Sequence, residues 1–411
     1  LTQRTTLAKK NLDFTACKIF SKTGHMAVYQ VISIMTNFAP VPFIDLATQQ
    51  KRIRPAVEAR FQDILNHGKY IFGPEVFAAE KELAAFSGAK DVISCASGTD
   101  ALWLPLLAED IGAGDAIFVP SFTFTATVEA VRFVGAEPVF VDVDPDTYVM
   151  CPDSLKSAIA AVHADGRFTP KVVIPVDLFG MVAPYAEISA IAADHGMWVM
   201  ADAAQSFGGS LGGRKVGAFG RVTATSFFPA KPLGVYGDGG AIFTDDAALA
   251  DRIRSVRNHG QGHDKYENVR VGTNSRLDSM QAAVLLEKLT IFPDELEKRQ
   301  AVADRYEAGL KDVVKTPVRP AQSTSAWAQY TIQANNRADA MAALQEQGIP
   351  TAIYYPNPLH MQAPYLAHLQ PKSGMPITEN IAKRVFSLPF HPYLAPDVQD
   401  RIIAAVRACV K

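Results

Sequence analysis

The residues with the clearest chemical potential lie in the segment SFFPAKPLGVYGDGG, residues 226–240. Lys231 follows a strand-like run (222–228) and a proline, and four glycines come within its next nine positions. Pro229 and Pro232 each remove a backbone donor and restrict local dihedrals, so Lys231 cannot sit inside a regular helix or central strand. Glycines let the chain turn tightly and lie close to a ligand. A lysine held this way in apolar surroundings loses its proton more easily than a free one, as a lysine that condenses with a carbonyl must. A solvated lysine on a glycine-rich turn is the plain alternative. A second group upstream argues against it: the run VMADAAQS places Asp202 at the end of an apolar strand, 29 residues before Lys231.

A lysine and a carboxylate, each at a strand end, are two of the four groups that pyridoxal phosphate needs. It also needs donors for its phosphate and a flat face against its ring. Asp202 supplies the anion that keeps the ring nitrogen protonated, and Gln205 can donate to the ring hydroxyl. Ser97-Gly98-Thr99, between a short strand (91–95) and an apolar helical run (100–108), supplies free helix-start amides, close approach and a hydroxyl. Phe124, in PSFTFTAT just past another strand, supplies the flat face. Singly these are weak signals: Ser-Gly-Thr is more often a plain cap, and phenylalanine is more often core. Their combination in this order, each at a strand end, is strong.

The order and wording resemble the DegT/DnrJ/EryC1/StrS family of sugar-nucleotide aminotransferases, from near Phe43 to the C-terminus. ADAAQSFG, SFFPAKPLGVYGDGGAIFT, HGQ and VGTNSRLDSMQAA carry the resemblance. It implies the aspartate aminotransferase-like fold (fold type I): an α/β large domain with a mostly parallel seven-stranded sheet, and a smaller α+β C-terminal domain. The lysine segment most resembles the branch that converts UDP-2-acetamido-2-deoxy-3-oxo-D-glucuronate to its 3-amino sugar, with L-glutamate as donor, in bacterial O-antigen synthesis. The resemblance further implies Ser226 as a cofactor contact, and a homodimer whose active sites are shared. In that arrangement Asn274 reaches the phosphate of the neighbouring subunit's cofactor, and Arg276 binds a carboxylate through its fork. A surface Arg276–Asp278 pair is the plain alternative. Tyr354 and Tyr355 are expected sugar contacts. The family often has His-Tyr-Pro where this chain has Tyr354-Tyr355-Pro356. Relatives acting at C4, or on dTDP- and GDP-sugars, share the cofactor residues; the lysine-segment wording disfavours them. Sugar dehydratases of the family replace the lysine with histidine. A silent sugar-nucleotide-binding or regulatory protein is the non-enzymatic alternative, and intact Lys231, Asp202, Gln205 and Ser226 argue against it.

The elements that must position these residues read as alternating strands and helices. Strands are expected at 91–95, 116–119, 138–141, 172–176, 198–201 and 223–227, as short apolar runs typical of a sheet covered on both faces. Ligands in such sheets bind beyond the strand ends. Helices are expected at 48–66, from Pro74 through Phe86, at 249–259, 338–347 and 398–409. A long helical region (281–306) is expected to break near Pro293 and lead from a large domain (36–290) into a small one (291–411) with strands at 328–332 and 351–353. His391 reads as structural.

With 411 residues, 48% hydrophobic and 20% charged, the chain has the composition of a soluble globular protein. A net charge of −2 without a basic stripe gives no sign of nucleic-acid binding. Four scattered cysteines without a Cys-x-x-Cys fit the cytoplasm, and neither they nor the histidines have metal-ligand spacing. His259 and His263 are four positions apart, and the intervening Gly260 and Gly262 make a shared helix face a poor expectation. GVYGDGGA lacks dinucleotide spacing, so NAD fits poorly. Residues 1–34 look foreign to the rest: their apolar run (28–35) is too short for a span of about 20 residues. They read as a translated leader or mis-assigned extension ahead of Met35, or as a disordered tail.

Overall fold

The computed structural model describes residues 41–264 and 266–410. The expected extension, 1–34, lies outside them. The chain opens with helices α1 (Leu46–His67) and α2 (Pro74–Ser87). Asp45 starts α1 by accepting from the Thr48 amide at 2.9 Å, and Ile53, Val57 and Ile64 form its buried stripe. The alternation follows: β1 (Asp91–Cys95), α3 (Gly98–Ala108), β2 (Asp115–Pro120), α4 (Ala126–Phe133), β3 (Glu137–Val141), α5 (Pro152–Asp165), β4 (Thr169–Val173), α6 (Tyr185–Asp194) and β5 (Trp198–Asp202). A two-residue hairpin pair, β6 (Ser210–Leu211) and β7 (Arg214–Lys215), precedes β8 (Val222–Ser226), β9 (Gly240–Thr244) and α7 (Ala247–Val256).

The main sheet has seven strands in the order β1-β9-β8-β5-β4-β2-β3. Strands β8, β5, β4, β2 and β3 are mutually parallel, and β9 is antiparallel to both β1 and β8. β1 therefore runs in the same direction as β8, and the C-terminal ends of β1, β2, β5 and β8 open on one edge. The chain after each of these ends carries one of the chemistry-bearing segments. β9 was not among the six strands expected. Its sequence, GAIFT, directly follows the glycine-rich turn, which masks its start; burial on both faces then makes it a strand. The sheet is covered on one face by α3, α4 and α7, and on the other by α5 and α6.

Helix α8 (Ser279–Leu310) leads into β10 (Ser323–Thr324), β11 (Tyr330–Gln333), α9 (Arg337–Glu346), α10 (Pro376–Arg384), β12 (Val385–Leu388) and α11 (Pro396–Cys409). The break expected near Pro293 is absent: α8 is continuous over 32 residues. An interior proline costs a helix about 3 kcal/mol. Here buried side chains on both sides of it, Leu285 and Phe292 before, Val302, Tyr306 and Leu310 after, fix both halves against α1, α2 and α11. The strand expected at 351–353 is one bridge, Ala352 to Ser387. β11 pairs instead with β12, an unexpected strand that directly follows a helix.

Candidate active site

The open edge of the sheet holds a cavity of about 430 Å³ lined by segments from four strand ends. From β1 come Ser97, Gly98 and Thr99; from β2, Thr123, Phe124 and Thr127; from β5, Asp202, Ala204 and Gln205; from β8, Ser226, Phe228 and Lys231. Gln329, Tyr354 and Tyr355 close it from the C-terminal part of the chain. Of the residues expected from the sequence, Gly98, Thr99, Phe124, Asp202, Gln205, Ser226, Lys231, Tyr354 and Tyr355 all meet here. Asn274 and Arg276 do not line it.

Ser97 caps α3 by accepting from the Asp100 amide at 3.1 Å, leaving the first turn of the helix directed at the cavity. Two glycines let this turn approach the lysine segment. A Cβ on Gly98 would lie 2.4 Å from Ser226 Cβ, and one on Gly240 would lie 2.3 Å from the Ser97 carbonyl oxygen. Helix-start amides with Thr99 and Ser226 hydroxyls alongside form an anion cradle.

Asp202 ends β5 and is buried. One carboxylate oxygen accepts from Thr127 Oγ1 at 2.9 Å, the other from the Ala204 amide at 3.2 Å. Burial raises its pKa, and these two donors and the Lys231 charge pull it back. Burial also lowers the pKa of Lys231, opposed by Asp202. Lys231 retains partial exposure because it faces the cavity. Its position is set by the turn: its amide donates to the Phe228 carbonyl, and the Val235 amide returns to the Phe227 carbonyl.

Gln205 has protein partners at both ends of its amide. Oε1 accepts from the Phe179 amide at 2.7 Å and Nε2 donates to Tyr355 Oη at 3.3 Å. Phe124 is 54% exposed, its ring 6.1 Å from that of Tyr355, so a broad aromatic face is presented to the cavity. Asn274 is exposed and bridges to Asn258. Arg276 does not pair with Asp278; its Nη1 makes a 3.4 Å contact to Asn258 Oδ1, and its buried Nε has no hydrogen-bond partner among the described residues.

Sequence reading missed three groups. Thr127 holds Asp202, and its only signal was its place in the run after β2. Gln329 lines the cavity with a buried, unpartnered Oε1 and had no motif to mark it. Asp177 lies behind Asp202, fully buried, accepting from Ser206 Oγ at 2.6 Å, Tyr185 Oη at 2.8 Å and the Ala183 amide at 2.8 Å. Burial pushes its pKa up to about 7 against these donors.

The DegT/DnrJ/EryC1/StrS aminotransferase family matches residues 51–407. The chain belongs to this family. It is 48% identical over 357 residues to the UDP-2-acetamido-2-deoxy-3-oxo-D-glucuronate aminotransferase of Pseudomonas aeruginosa, covering 86% of this chain and 96% of that protein. A solved DegT DnrJ EryC1 StrS aminotransferase from Brucella abortus is 54% identical with a TM-score of 0.88, covering 89% of this chain and 98% of that one. NtdA from Bacillus subtilis, solved with bound cofactor PMP, is 30% identical with a TM-score of 0.78, covering 89% and 82%. The fold is therefore the fold type I aminotransferase architecture expected from the sequence. No helix among the described residues is long and apolar enough to cross a membrane.

Proposed function

We propose that this family member is a pyridoxal phosphate-dependent transaminase that aminates a keto-sugar nucleotide. The acceptor is UDP-2-acetamido-2-deoxy-3-oxo-D-glucuronate, as in the Pseudomonas relative, and L-glutamate is the donor. The observation that carries the reading is one cavity with a buried carboxylate, a partly exposed lysine amine and a helix-start anion cradle on the same sheet edge. These residues fit the cofactor group by group. The cradle of Gly98, Thr99 and Ser226 takes a phosphate, Asp202 pairs with a ring nitrogen, Lys231 takes the aldehyde, and Phe124 lies against the ring.

When bound, the cofactor supplies an aldehyde and an electron-withdrawing ring that stabilises negative charge on an adjacent carbon. The protein's part is proton management. With its pKa lowered by burial, Lys231 Nζ could take the proton from the donor's α carbon and carry it within the cavity. Asp202, locked by Thr127 and Ala204, holds the proton at the ring nitrogen. Gln205, with Oε1 fixed by the Phe179 amide, keeps its NH₂ at the cavity wall beside Tyr355.

Asn274 and Arg276 serve the site of a second copy of the chain, Asn274 at the phosphate and Arg276 at a substrate carboxylate. Their absence from this chain's own cavity supports this, as does the exposure of Tyr70, Ile71 and Tyr236. These three gather at the start of α8, beside Ser279, Asp278 and Gln281, and offer a homodimer surface. Tyr354 and Tyr355 contact the sugar. The sheet of β11 and β12, separate from the main one, supports a division into a cofactor-binding part (36–290) and a smaller part (291–411). The free thiols of Cys95, Cys151 and Cys409 support a cytoplasmic enzyme, and the substrate class supports a role in O-antigen synthesis.

The test is a visible absorption spectrum of the protein with pyridoxal phosphate, before and after L-glutamate, beside Lys231→Ala. The expected result is a yellow band bleached by glutamate in the natural protein, with no bleaching by glutamate in the variant. Recolouring by UDP-2-acetamido-3-oxo-glucuronate then identifies the acceptor. A protein that stays colourless with added cofactor overturns the reading.

A further inference from the structure

Asp202 has one side-chain hydrogen-bond donor among the described residues, Thr127. The two are 75 positions apart, so only the fold brings them together. Ionised Asp202 can only accept, so the single proton of Thr127 Oγ1 is committed to Oδ2. Thr123 Oγ1 lies 3.2 Å from Thr127 Oγ1 and must then be the donor of that pair. The chain of protons has one direction, from Thr123 to Thr127 to Asp202. All three residues are buried, with residue exposures of 2%, 1% and 4%, so bulk water does not compete for these bonds. The Ala204 amide holds the other carboxylate oxygen. Both oxygens are pinned, and the remaining lone pairs are set in orientation.

The titratable groups that act on Asp202 are Lys231, Asp177, Tyr185 and Tyr355. None of them hydrogen-bonds its carboxylate; Lys231 acts on it through charge, whereas Thr127 contributes direction. The two threonines flank Phe124 in the segment after β2, so one short stretch both presents the aromatic face and aims the carboxylate.

We propose that Thr127 is a positioning residue that orients Asp202 toward the ring nitrogen of the cofactor, with Thr123 fixing the direction of its hydroxyl. This rests on the cofactor reading given above. The experiment compares two probes on the full chain freed of cofactor. One is pyridoxal phosphate; the other is its analogue with the ring nitrogen replaced by C–H. Equilibrium titration by protein fluorescence gives a dissociation constant for each with the natural protein, Thr127→Val and Thr127→Ser.

If Thr127 acts through Asp202 on the ring nitrogen, Thr127→Val weakens pyridoxal phosphate roughly ten- to hundredfold, the range of a hydrogen bond to a charged group. The analogue is held within about twofold of its natural affinity, the limit of independent effects. Thr127→Ser, which keeps the hydroxyl, restores the preference. Equal weakening of both probes, or no change in either, overturns the inference, since a packing defect does not discriminate between N and C–H. Failure of the natural protein to bind either probe would sink the cofactor reading itself and is distinguishable. Circular dichroism reports folding, and Thr127→Ala carries the same comparison if the valine variant does not fold.

Discussion

The close approach of Gly98 to Ser226 at the cavity wall sets a sharp expectation for Gly98→Ala. The added methyl would lie 2.4 Å from Ser226 Cβ, 2.8 Å from Ser226 Oγ and 3.1 Å from Ser226 Cα. An ordinary carbon–carbon contact is about 3.5–4.0 Å, so the start of α3 and the end of β8 must separate by roughly 1–1.5 Å. Neither gives way easily. β8 is hydrogen-bonded on both sides, to β5 and β9, and α3 packs against β8 and β9 through buried leucines. Overpacking of this kind costs about 1–3 kcal/mol. The displaced atoms are also the cradle, so the expected loss is double: lower stability without cofactor, and weaker cofactor binding beyond what the stability loss explains. The assay is urea unfolding of the cofactor-free protein together with cofactor titration. Ser226→Gly removes the struck Cβ and Oγ, so the double variant should be more stable than the two separate losses sum to, with a coupling of about 0.5–3 kcal/mol. Additive losses, or a Gly98→Ala protein that matches the natural one in both measurements, would refute the idea that the two segments touch here.

Two further expectations come from groups the sequence did not mark. Asp177 has its folded pKa raised from 3.8 to about 7, so it contributes stability that is full below pH 4 and is lost as pH rises toward 7. A pKa raised to about 7 by burial corresponds to a few kcal/mol, on the order of 4, over that window. Asp177→Asn, which mimics the protonated acid, should flatten the fall in unfolding free energy between pH 4 and 7; an unchanged slope would assign the effect to other groups. Gln329 is the second case: it lines a cavity that would accept a sugar rich in hydroxyl and amide donors, and its buried Oε1 has no partner among the described residues. Gln329→Leu should lower kcat/KM for the keto sugar by about ten- to a hundredfold while leaving the glutamate half-reaction within about threefold. An equal loss in both half-reactions would place Gln329 at the cofactor instead.

Much of the site was legible because each cofactor-facing group sits next to a strand end, and strand ends are readable from short apolar runs. Asp202 terminates β5, Ser226 terminates β8, and Ser97 to Thr99 and Phe124 follow β1 and β2 within a few residues. Where the reading slipped, a tertiary effect had overridden a local one. Pro293 is a break signal in isolation, yet packing on both flanks carries α8 straight through it. β9 and β12 are ordinary five- and four-residue runs that become strands because a partner lies beside them, β1 and β8 for the first and β11 for the second.

The sequence by itself determined the local chemistry: a lysine barred from regular structure by two prolines, an aspartate at the end of an apolar strand, a helix start free to receive an anion. These follow from neighbouring residues, since backbone dihedrals and capping are short-range. Only the tertiary structure decided which groups act on one another. Thr127 meets Asp202 across 75 positions, Gln205 meets Tyr355 across 150, and Gly98 meets Ser226 because β9 lies between β1 and β8 and brings their ends to one edge. The depression of the Lys231 pKa and the elevation of those of Asp202 and Asp177 belong to the same level, because desolvation is set by everything that surrounds a group and not by its neighbours in the chain.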